Sequence, residues 1–281
     1  MGNFRSHLVI SVAGANPTLA THTLFDATHK ESRDSALEQF MVNLHAINML
    51  TPPPGAFNSY LGQLLLLGTI AAAESFVRTL FRRIISLDET AQNLVYDRDV
   101  SYGAALYLSP DLMPEALLEK FSFISKTNIV NALRELLAIK GNLPPELELA
   151  IDDYGRVCQM RHCAVHRFGK LGAKNAMALG MSDHKNLLEK PLKLDYVSLQ
   201  NSMAISTGFV KTLNNFLFNE LLSRVDPSEW SGVYSQDKRI FMRYYKLFSD
   251  KKSSSPSAAP KHYYLELQRE LKLSNADRRR P

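Results

Sequence analysis

Arginine and histidine are concentrated in one short stretch of this sequence, MRHCAVHRFG, which spans residues 160–169. No acidic residue occurs anywhere between Tyr154 and Ser182. Cationic side chains repel one another when they lie on neighbouring turns of a helix, so their accumulation without acids needs a physical reason. The stretch contains four arginines and histidines: Arg161, His162, His166 and Arg167.

Three kinds of chemistry could explain these residue types. His162 and His166 are four residues apart and would share a helix face, as two zinc ligands would, but a third ligand is missing and no glutamate lies between them. Cys163 could act as a nucleophile, since cations favour its thiolate, although it and Cys158 also suit small apolar helix positions. Cations in the last helical turn are stabilised by the negative helix terminus, which would explain Arg167 and one histidine.

The helix-end explanation accounts less well for the remaining cationic side chains. A charged group at a packed position needs a partner or a function. Arg161, His162 and His166 lie among apolar residues whose helical spacing predicts a packed face. Those apolar residues are Val157, Met160, Ala164 and Val165.

The stretch resembles the motif of the HEPN superfamily, a group of all-α RNA-cleaving proteins. The motif is an arginine, a polar residue, three further residues and a histidine. Its commonest form resembles Arg-(Asn or His)-x-x-(Ala or Val)-His, followed shortly by glycine. The resemblance covers roughly residues 35–225 of this chain. The matching residues are Arg161, His162, Val165, His166 and Gly169.

This resemblance implies a metal-independent endoribonuclease that needs no cofactor and acts as a homodimer, with the two motifs facing each other across a cleft. RNA carries its own nucleophile, the 2′-hydroxyl, so the protein supplies only proton transfer and charge stabilisation. Histidine transfers protons near neutral pH, which suits His166, while Arg161 would stabilise negative charge on the phosphate. His162 would orient a phosphate or His166. The expected products carry 2′,3′-cyclic phosphate and 5′-hydroxyl ends.

Residues outside the motif are expected to support it. In similar proteins a polar residue of an early long helix approaches the motif, and Glu74 is the corresponding candidate here. Glu74 also forms, with Arg78 and Arg82, a row at four-residue spacing that predicts an ion-pair ladder on the helix surface. Three further cations are expected to contact RNA: Arg167, Lys170 and Lys174.

The fold class predicted for the chain is all-α. Residues 1–31 are predicted to be an irregular N-terminal segment with one short strand over residues 7–13. Residues 32–225 are predicted to form a HEPN-like helical bundle. Residues 226–281 then form a basic helical extension with a flexible linker over residues 250–261, because SSSPSAAP has a linker composition.

Helical periodicity runs almost without interruption from residue 32 onward. It predicts a long helix over residues 56–87, after the turn-forming TPPPG, and places the motif late in a helix over residues 146–169. Further helices are predicted over residues 32–50, 110–121, 125–139, 195–225, 228–248 and 262–273. The side of the helix over residues 195–225 expected to be buried consists of Leu199, Met203, Ile205, Phe209, Leu213, Phe216, Leu217 and Leu221.

Composition places limits on partners and location. The chain has 281 residues, of which 45% are hydrophobic and 22% charged, as in ordinary soluble proteins. Its most apolar run, Leu61 to Ala73, is shorter than a membrane span, and its two cysteines allow no disulfide framework, which favours the reducing cytoplasm. The net charge of +5 permits an anionic partner; between residues 237 and 281 lysine and arginine outnumber acids twelve to five.

The family resemblance also implies a biological role, that of a toxin or anti-phage effector restrained by an antitoxin or another regulatory partner protein. An alternative is a non-catalytic module that binds RNA or mediates dimerisation. The presence of both Arg161 and His166 argues against this alternative, because a degenerate copy would tend to lose one of them.

Overall fold

The computed structural model describes the backbone of residues 10–277 and the side chains of residues 10–271. Over that range the chain forms α-helices and no β-strand, which confirms the predicted all-α fold class. The α-helices of this range are α1 (Ala36–Met49), α2 (Ser59–Leu87), α3 (Glu89–Val95), α4 (Tyr102–Tyr107), α5 (Met113–Leu118), α6 (Lys126–Leu137), α7 (Pro145–Arg167), α8 (Ala173–Leu179), α9 (Met181–His184), α10 (Tyr196–Ser223), α11 (Tyr234–Phe248) and α12 (Pro260–Asp277).

The chain divides into two compact units, Met1–Arg33 and Asp34–Pro281. The described part of the first unit contains a single 3-10 turn at Thr21–Leu24 and is otherwise irregular. Residues 10–13, the described end of the predicted strand, are therefore not a strand, and the start of that strand lies outside the described residues. The second unit contains all the α-helices named above.

Local side-chain hydrogen bonds determine where the first two helices begin. Ser35 and Glu38 form a capping box at α1, in which each side chain accepts a hydrogen bond from the other residue's backbone N–H, at 3.0 and 2.8 Å. Helix α2 begins later than predicted because Pro54–Ala56 forms a 3-10 turn. The Asn58 side chain then accepts a hydrogen bond from the Leu61 N–H at 2.9 Å.

Helix α2 is the centre of the second unit and packs against α1, α7 and α10. Its most apolar 18 residues have a mean hydropathy of 1.6, so by length and composition it could span a membrane. However, 56% of that stretch is buried inside the protein, which is the behaviour of a core helix. The residues of α2 that are almost fully buried include Leu66, Ile70, Phe76, Leu80, Phe81 and Ile84.

Helices α7 and α10 pack side by side, and the Tyr154 and Phe209 rings stack between them at a centroid distance of 4.3 Å. Most of the side predicted to be buried on α10 is buried, but Ile205 is 36% exposed and that part of the prediction is wrong. Ser202 and Ser206 take the buried positions instead, and each hydroxyl donates to the carbonyl four residues earlier at 2.8 Å. That local bond satisfies the polar group, so a hydrophobicity pattern does not reveal such positions.

The predicted ion-pair ladder on α2 is wrong for Glu74 and Arg78. The Arg78 guanidinium donates to the carbonyl oxygens of Leu118 and Phe121 at 2.9 and 3.1 Å, while Glu74 Oε1 accepts a hydrogen bond from the Phe123 N–H at 3.2 Å. Both side chains thus hold the segment that follows α5 against α2, because its backbone groups there need hydrogen-bond partners.

A buried ion pair joins the end of α10 to the junction of α2 and α3. The Asp88 carboxylate accepts a hydrogen bond from the Ala91 N–H at 2.8 Å, which caps α3, and another from Arg224 Nη1 at 2.9 Å. Arg224 Nη2 donates to the Leu137 carbonyl at 2.6 Å, at the end of α6. Four helix ends therefore meet at one charged pair.

The C-terminal helices α11 and α12 form a second, largely aromatic cluster around Phe241, Tyr245 and Tyr264. The segment between them makes its own hydrogen bonds. Ser257 Oγ accepts from the Asp250 N–H at 2.9 Å. The flexibility predicted for this segment and the boundary predicted near residue 225 stay predictions.

Candidate functional site

The motif occupies the last two turns of α7, and its position depends on how that helix ends. Phe168 adopts a left-handed conformation (φ 50°), and the N–H of Gly169 bonds to the Cys163 carbonyl at 2.9 Å, as in a Schellman C-cap. A Cβ on Gly169 would lie 2.8 Å from the side-chain oxygen of Gln63 on α2. Glycine is therefore required there by close approach and by its own positive φ of 88°.

The burial pattern of α7 places the motif at the edge of the core. Val157 and Cys158 are buried, Arg161 and His162 are partly exposed, and His166 is exposed to solvent. The prediction that Val165 packs inside is wrong, because its side chain is 45% exposed. Three motif side chains of this chain consequently reach solvent from one helix end, although their helix is anchored in the core.

The two cysteines behave as apolar core residues. Both are free and buried. Burial raises the pKa of Cys158 to about 12 and also raises the pKa of Cys163. Each thiol is therefore protonated at neutral pH, and the thiolate needed for nucleophilic chemistry is disfavoured.

The imidazole rings of His162 and His166 stack one helical turn apart, with centroids 5.6 Å apart and planes inclined by 26°. Among residues whose side chains are described, no group of three His, Cys, Asp or Glu is arranged to hold a metal ion. The zinc interpretation therefore lacks its third protein ligand. The pair is better suited to contacts with an anion or to proton transfer.

Four cationic or titratable groups influence one another at this helix end. Partial burial lowers the pKa of His162 below its usual value of 6.5, and the charges of Arg161, His166 and Lys174 lower it further. Lys174 lies in the first turn of α8, so this short helix brings a further positive charge to the motif. A bound phosphate would relieve this repulsion, because it supplies the negative charge that the cluster lacks.

We expect the pH titration of His162, followed by NMR, to report this environment. Its pKa should lie below 6.5 in the wild type, and Arg161→Ala should raise it because a neighbouring positive charge is removed. Since the unfolded chain binds this proton more readily, the contribution of His162 to stability falls as the pH drops below about 6.5. Arg156→Ala, which removes an exposed cation earlier on α7, is the matched control. A wild-type value at or above 6.5 would contradict the proposed cluster.

The Arg161 guanidinium has no bonding partner among the residues that the structure describes. Within residues 10–271, no hydrogen bond or ion pair involves it. Its charge and that of Glu74 both act on the buried Tyr154 and Cys158, in opposite directions, so Glu74 and Arg161 lie near the same stretch of α7. Glu74 is nevertheless engaged with the Phe123 N–H, and its assignment as a supporting residue of the motif stays a prediction.

The three cations expected to contact RNA differ in their surroundings. Nη2 of Arg167 donates to both carboxylate oxygens of Glu189, at 2.5 and 2.6 Å. The positive charge of Arg167 is therefore already neutralised by this ion pair. Lys170 and Lys174 are exposed. The backbone of Lys170 pairs with Pro191 in an isolated bridge. The two lysines are therefore the stronger candidates for phosphate contacts.

An aromatic pair that the sequence did not indicate lies beside the motif. The Tyr60 ring on α2 and the Phe168 ring are 5.7 Å apart, and the two side chains are 67% and 76% exposed. The letters RFG do place an aromatic residue directly after the motif. The approach of Tyr60 depends on the antiparallel packing of α2 and α7, which no local pattern shows.

The geometry of this surface is the main basis for assigning a function. Cationic side chains, two stacked imidazoles and exposed aromatic rings lie where α7 ends. Within the described residues the zinc interpretation lacks a third ligand, and burial disfavours the thiolate that a cysteine nucleophile needs. Membership of the HEPN superfamily stays a prediction from the motif. Comparison with protein-family models, curated proteins and solved structures finds no match for this chain.

Proposed function

We propose that this protein is a metal-independent endoribonuclease. The observation that carries the proposal is the arrangement at the end of α7. At that place the stacked imidazoles of His162 and His166 meet the positive charges of Arg161 and Lys174. Within the described residues the Arg161 guanidinium has no hydrogen bond or ion pair, and the nearby carboxylate of Glu74 accepts a hydrogen bond from the Phe123 N–H. Such a group is suited to a phosphodiester, which is anionic and whose cleavage requires both charge stabilisation and proton transfer.

In the proposed reaction, His166 accepts the proton of the RNA 2′-hydroxyl while the 2′-oxygen forms a bond to phosphorus. The bond from phosphorus to the 5′-oxygen breaks, and that oxygen takes up a proton from water to leave as a 5′-hydroxyl, while His166 later returns its proton to solvent. Arg161 neutralises the charge that builds on the non-bridging oxygens. His162, whose pKa is lowered by burial and neighbouring cations, is available as a neutral imidazole to orient the phosphate or His166.

The wider proposal concerns assembly and biological role. A homodimer would place two motifs across a shared cleft, so that each contributes an arginine and a histidine to one RNA strand. A ribonuclease of this kind would serve as a cytoplasmic toxin or anti-phage effector, held in check by an antitoxin or another regulatory protein. The apolar part of α2 is mostly buried inside the protein, which argues against insertion of this helix in a membrane.

A non-cleaving RNA-binding module is the second candidate, and the exposed lysines favour it. Lys170 and Lys174 could hold phosphates without any proton transfer. The two candidates differ in their products, because only the ribonuclease generates new RNA ends. They also differ in the effect of removing the 2′-hydroxyl, which is essential for cleavage and unimportant for phosphate contacts alone.

We expect the purified protein to cut single-stranded RNA in the presence of EDTA and to leave 2′,3′-cyclic phosphate ends. A substrate with a single 2′-deoxy nucleotide at the cut position should resist, because the nucleophile is missing, and DNA should resist throughout. Gel analysis of end-labelled RNA measures both results. Cleavage that requires added Mg²⁺, or equal cleavage of DNA, would contradict the proposal.

A further inference from the structure

Tyr60 and Phe168 form an exposed aromatic pair at the edge of the motif. Their side chains are 67% and 76% exposed, and their ring centroids are 5.7 Å apart with planes inclined by 38°. Two large rings exposed to this extent contribute little to the core. Exposed aromatic side chains that lie together often mark a binding surface.

The backbone at Phe168 is a second reason to look for a function. Phe168 has φ 50° and ψ 44°, the left-handed region in which a helix C-cap normally carries glycine or asparagine. A phenylalanine in this conformation is disfavoured relative to glycine. Core packing does not explain its presence, since the ring is mostly in solvent. This conformation places an aromatic residue directly after the end of α7, two positions beyond His166.

The surrounding structure holds the pair in place before any ligand binds. Ser59, at the start of α2, accepts a hydrogen bond from the Leu194 N–H and donates one to the Leu192 carbonyl, both at 3.0 Å. The Leu192 N–H in turn donates to the Gly169 carbonyl at 2.8 Å. The start of α2, the turn after α7 and the segment before α10 are thus tied together, so little ordering is needed on binding.

The charge around the pair selects the kind of partner. No acid occurs in residues 59–73 or 155–181, the two segments that carry the rings and the motif. The acids around these segments already have partners: Glu189 forms an ion pair with Arg167, Asp195 caps α10 by accepting from the Ser198 N–H, and Glu74 accepts from the Phe123 N–H. The surface therefore combines aromatic rings with an excess of positive charge, which is how proteins bind single-stranded nucleic acid: phosphates contact cations and bases stack on rings.

We propose that Tyr60 and Phe168 form a stacking platform for an unpaired nucleobase that flanks the phosphate held by Arg161 and His166. This inference rests on the proposed function for the identity of the nucleic acid as RNA. Bases within a duplex have both faces covered by neighbouring bases, so the platform selects single-stranded RNA. It also selects the position of the cut, because the base on the platform determines which phosphate reaches the motif.

The experiment uses a five-nucleotide RNA that contains 2-aminopurine, whose fluorescence is quenched by stacking, and the His166→Ala variant of the 281-residue chain, which should bind without cutting. We expect quenching on binding, and about tenfold weaker affinity after Phe168→Leu or Tyr60→Leu, which keep an apolar side chain but remove the ring. Phe168→Trp should retain the affinity. Tyr107→Leu, at a tyrosine of α4 that is 84% exposed, is the matched control.

Salt dependence separates stacking from charge. Phe168→Leu should leave the slope of affinity against salt concentration unchanged, whereas Lys174→Ala should reduce it. Unaltered affinity in both aromatic variants, or binding without quenching, would overturn the platform. So would a dimer that dissociates on Phe168→Leu in sedimentation experiments, because the pair would then belong to a subunit interface.

The outcome for the platform is independent of the outcome for cleavage. If the wild type binds the RNA through these rings but does not cut it in EDTA, the platform is supported and the proposed ribonuclease activity fails. If the wild type cuts RNA and the aromatic variants bind and cut as well as it does, the activity is supported and the platform fails.

Discussion

His166→Ala should slow cleavage of single-stranded RNA at least about a hundredfold, and Arg161→Ala should do so to a similar extent. Removal of a general acid–base group typically costs this factor or more, and loss of a cation that stabilises transition-state charge has a comparable effect. The rate constant for a single turnover, measured with excess protein, reports the chemical step without contributions from product release.

These substitutions should leave the fold intact. His166 is exposed, and within the described side chains Arg161 has no hydrogen bond or ion pair that alanine would remove. Far-UV circular dichroism and thermal unfolding should therefore match those of the wild type. Arg156→Ala and His45→Ala, at an exposed arginine of α7 and an exposed histidine of α1, are matched controls that should cut normally.

Equal rates for the wild type and His166→Ala would remove the catalytic assignment. Loss of activity in Arg156→Ala would be equally informative, because it would show that general positive charge on α7, rather than Arg161, is what the reaction requires. If His166→Ala is inactive and still binds RNA with wild-type affinity, proton transfer is separated from phosphate binding.

Asp88→Ala should lower the free energy of unfolding by about 3–5 kcal/mol, the range found when one partner of a buried ion pair is removed. The Asp88 side chain is 6% exposed and its partner Arg224 is 15% exposed. The substitution removes the cap of α3 and leaves Arg224, among the described residues, with only the longer, 3.4 Å ion pair to the carboxylate of Glu220. Urea unfolding followed by circular dichroism measures the change.

Two further variants test the physical reason. Asp88→Asn keeps an oxygen that can cap α3 and accept from Arg224, so it should cost less than Asp88→Ala. Asp152→Ala removes an exposed ion pair, in which the side chains of Asp152 and Lys126 are 43% and 48% exposed. This substitution should change the free energy of unfolding by less than about 1 kcal/mol. A loss for Asp88→Ala as small as that for Asp152→Ala would show that burial does not strengthen the pair.

Capping residues and turn-forming residues act over a few positions, and they predicted where several helices begin and end. Ser35 and Glu38 stand three residues apart, and the structure contains the capping box that this spacing favours. Helix α7 begins at Pro145 and ends at the glycine-containing turn expected for it. The short helices α3, α4, α8 and α9 were not predicted, because elements of four to seven residues contain too few turns to show periodicity.

The candidate site could be predicted only in part. Arg161, His162 and His166 are recognisable because their spacing on one helix is a local property. The sequence predicts Lys174 as an RNA contact because it follows the motif closely, but it does not show that the charge of Lys174 acts on His162. Tyr60 could not be assigned to the site from the sequence, because only the packing of α2 against α7 brings its ring to the end of α7. The pairing of Arg167 with Glu189 likewise joins residues 22 positions apart.

Residue order along the chain thus determined the all-α character, the main helices and the identity of the motif, since capping, turn formation and helical periodicity act over a few residues. Tertiary packing decided which charges are neutralised, which remain available and which aromatic rings stand beside them. Those outcomes depend on distances between helices, and such distances result from the burial of the whole apolar surface rather than from any one segment.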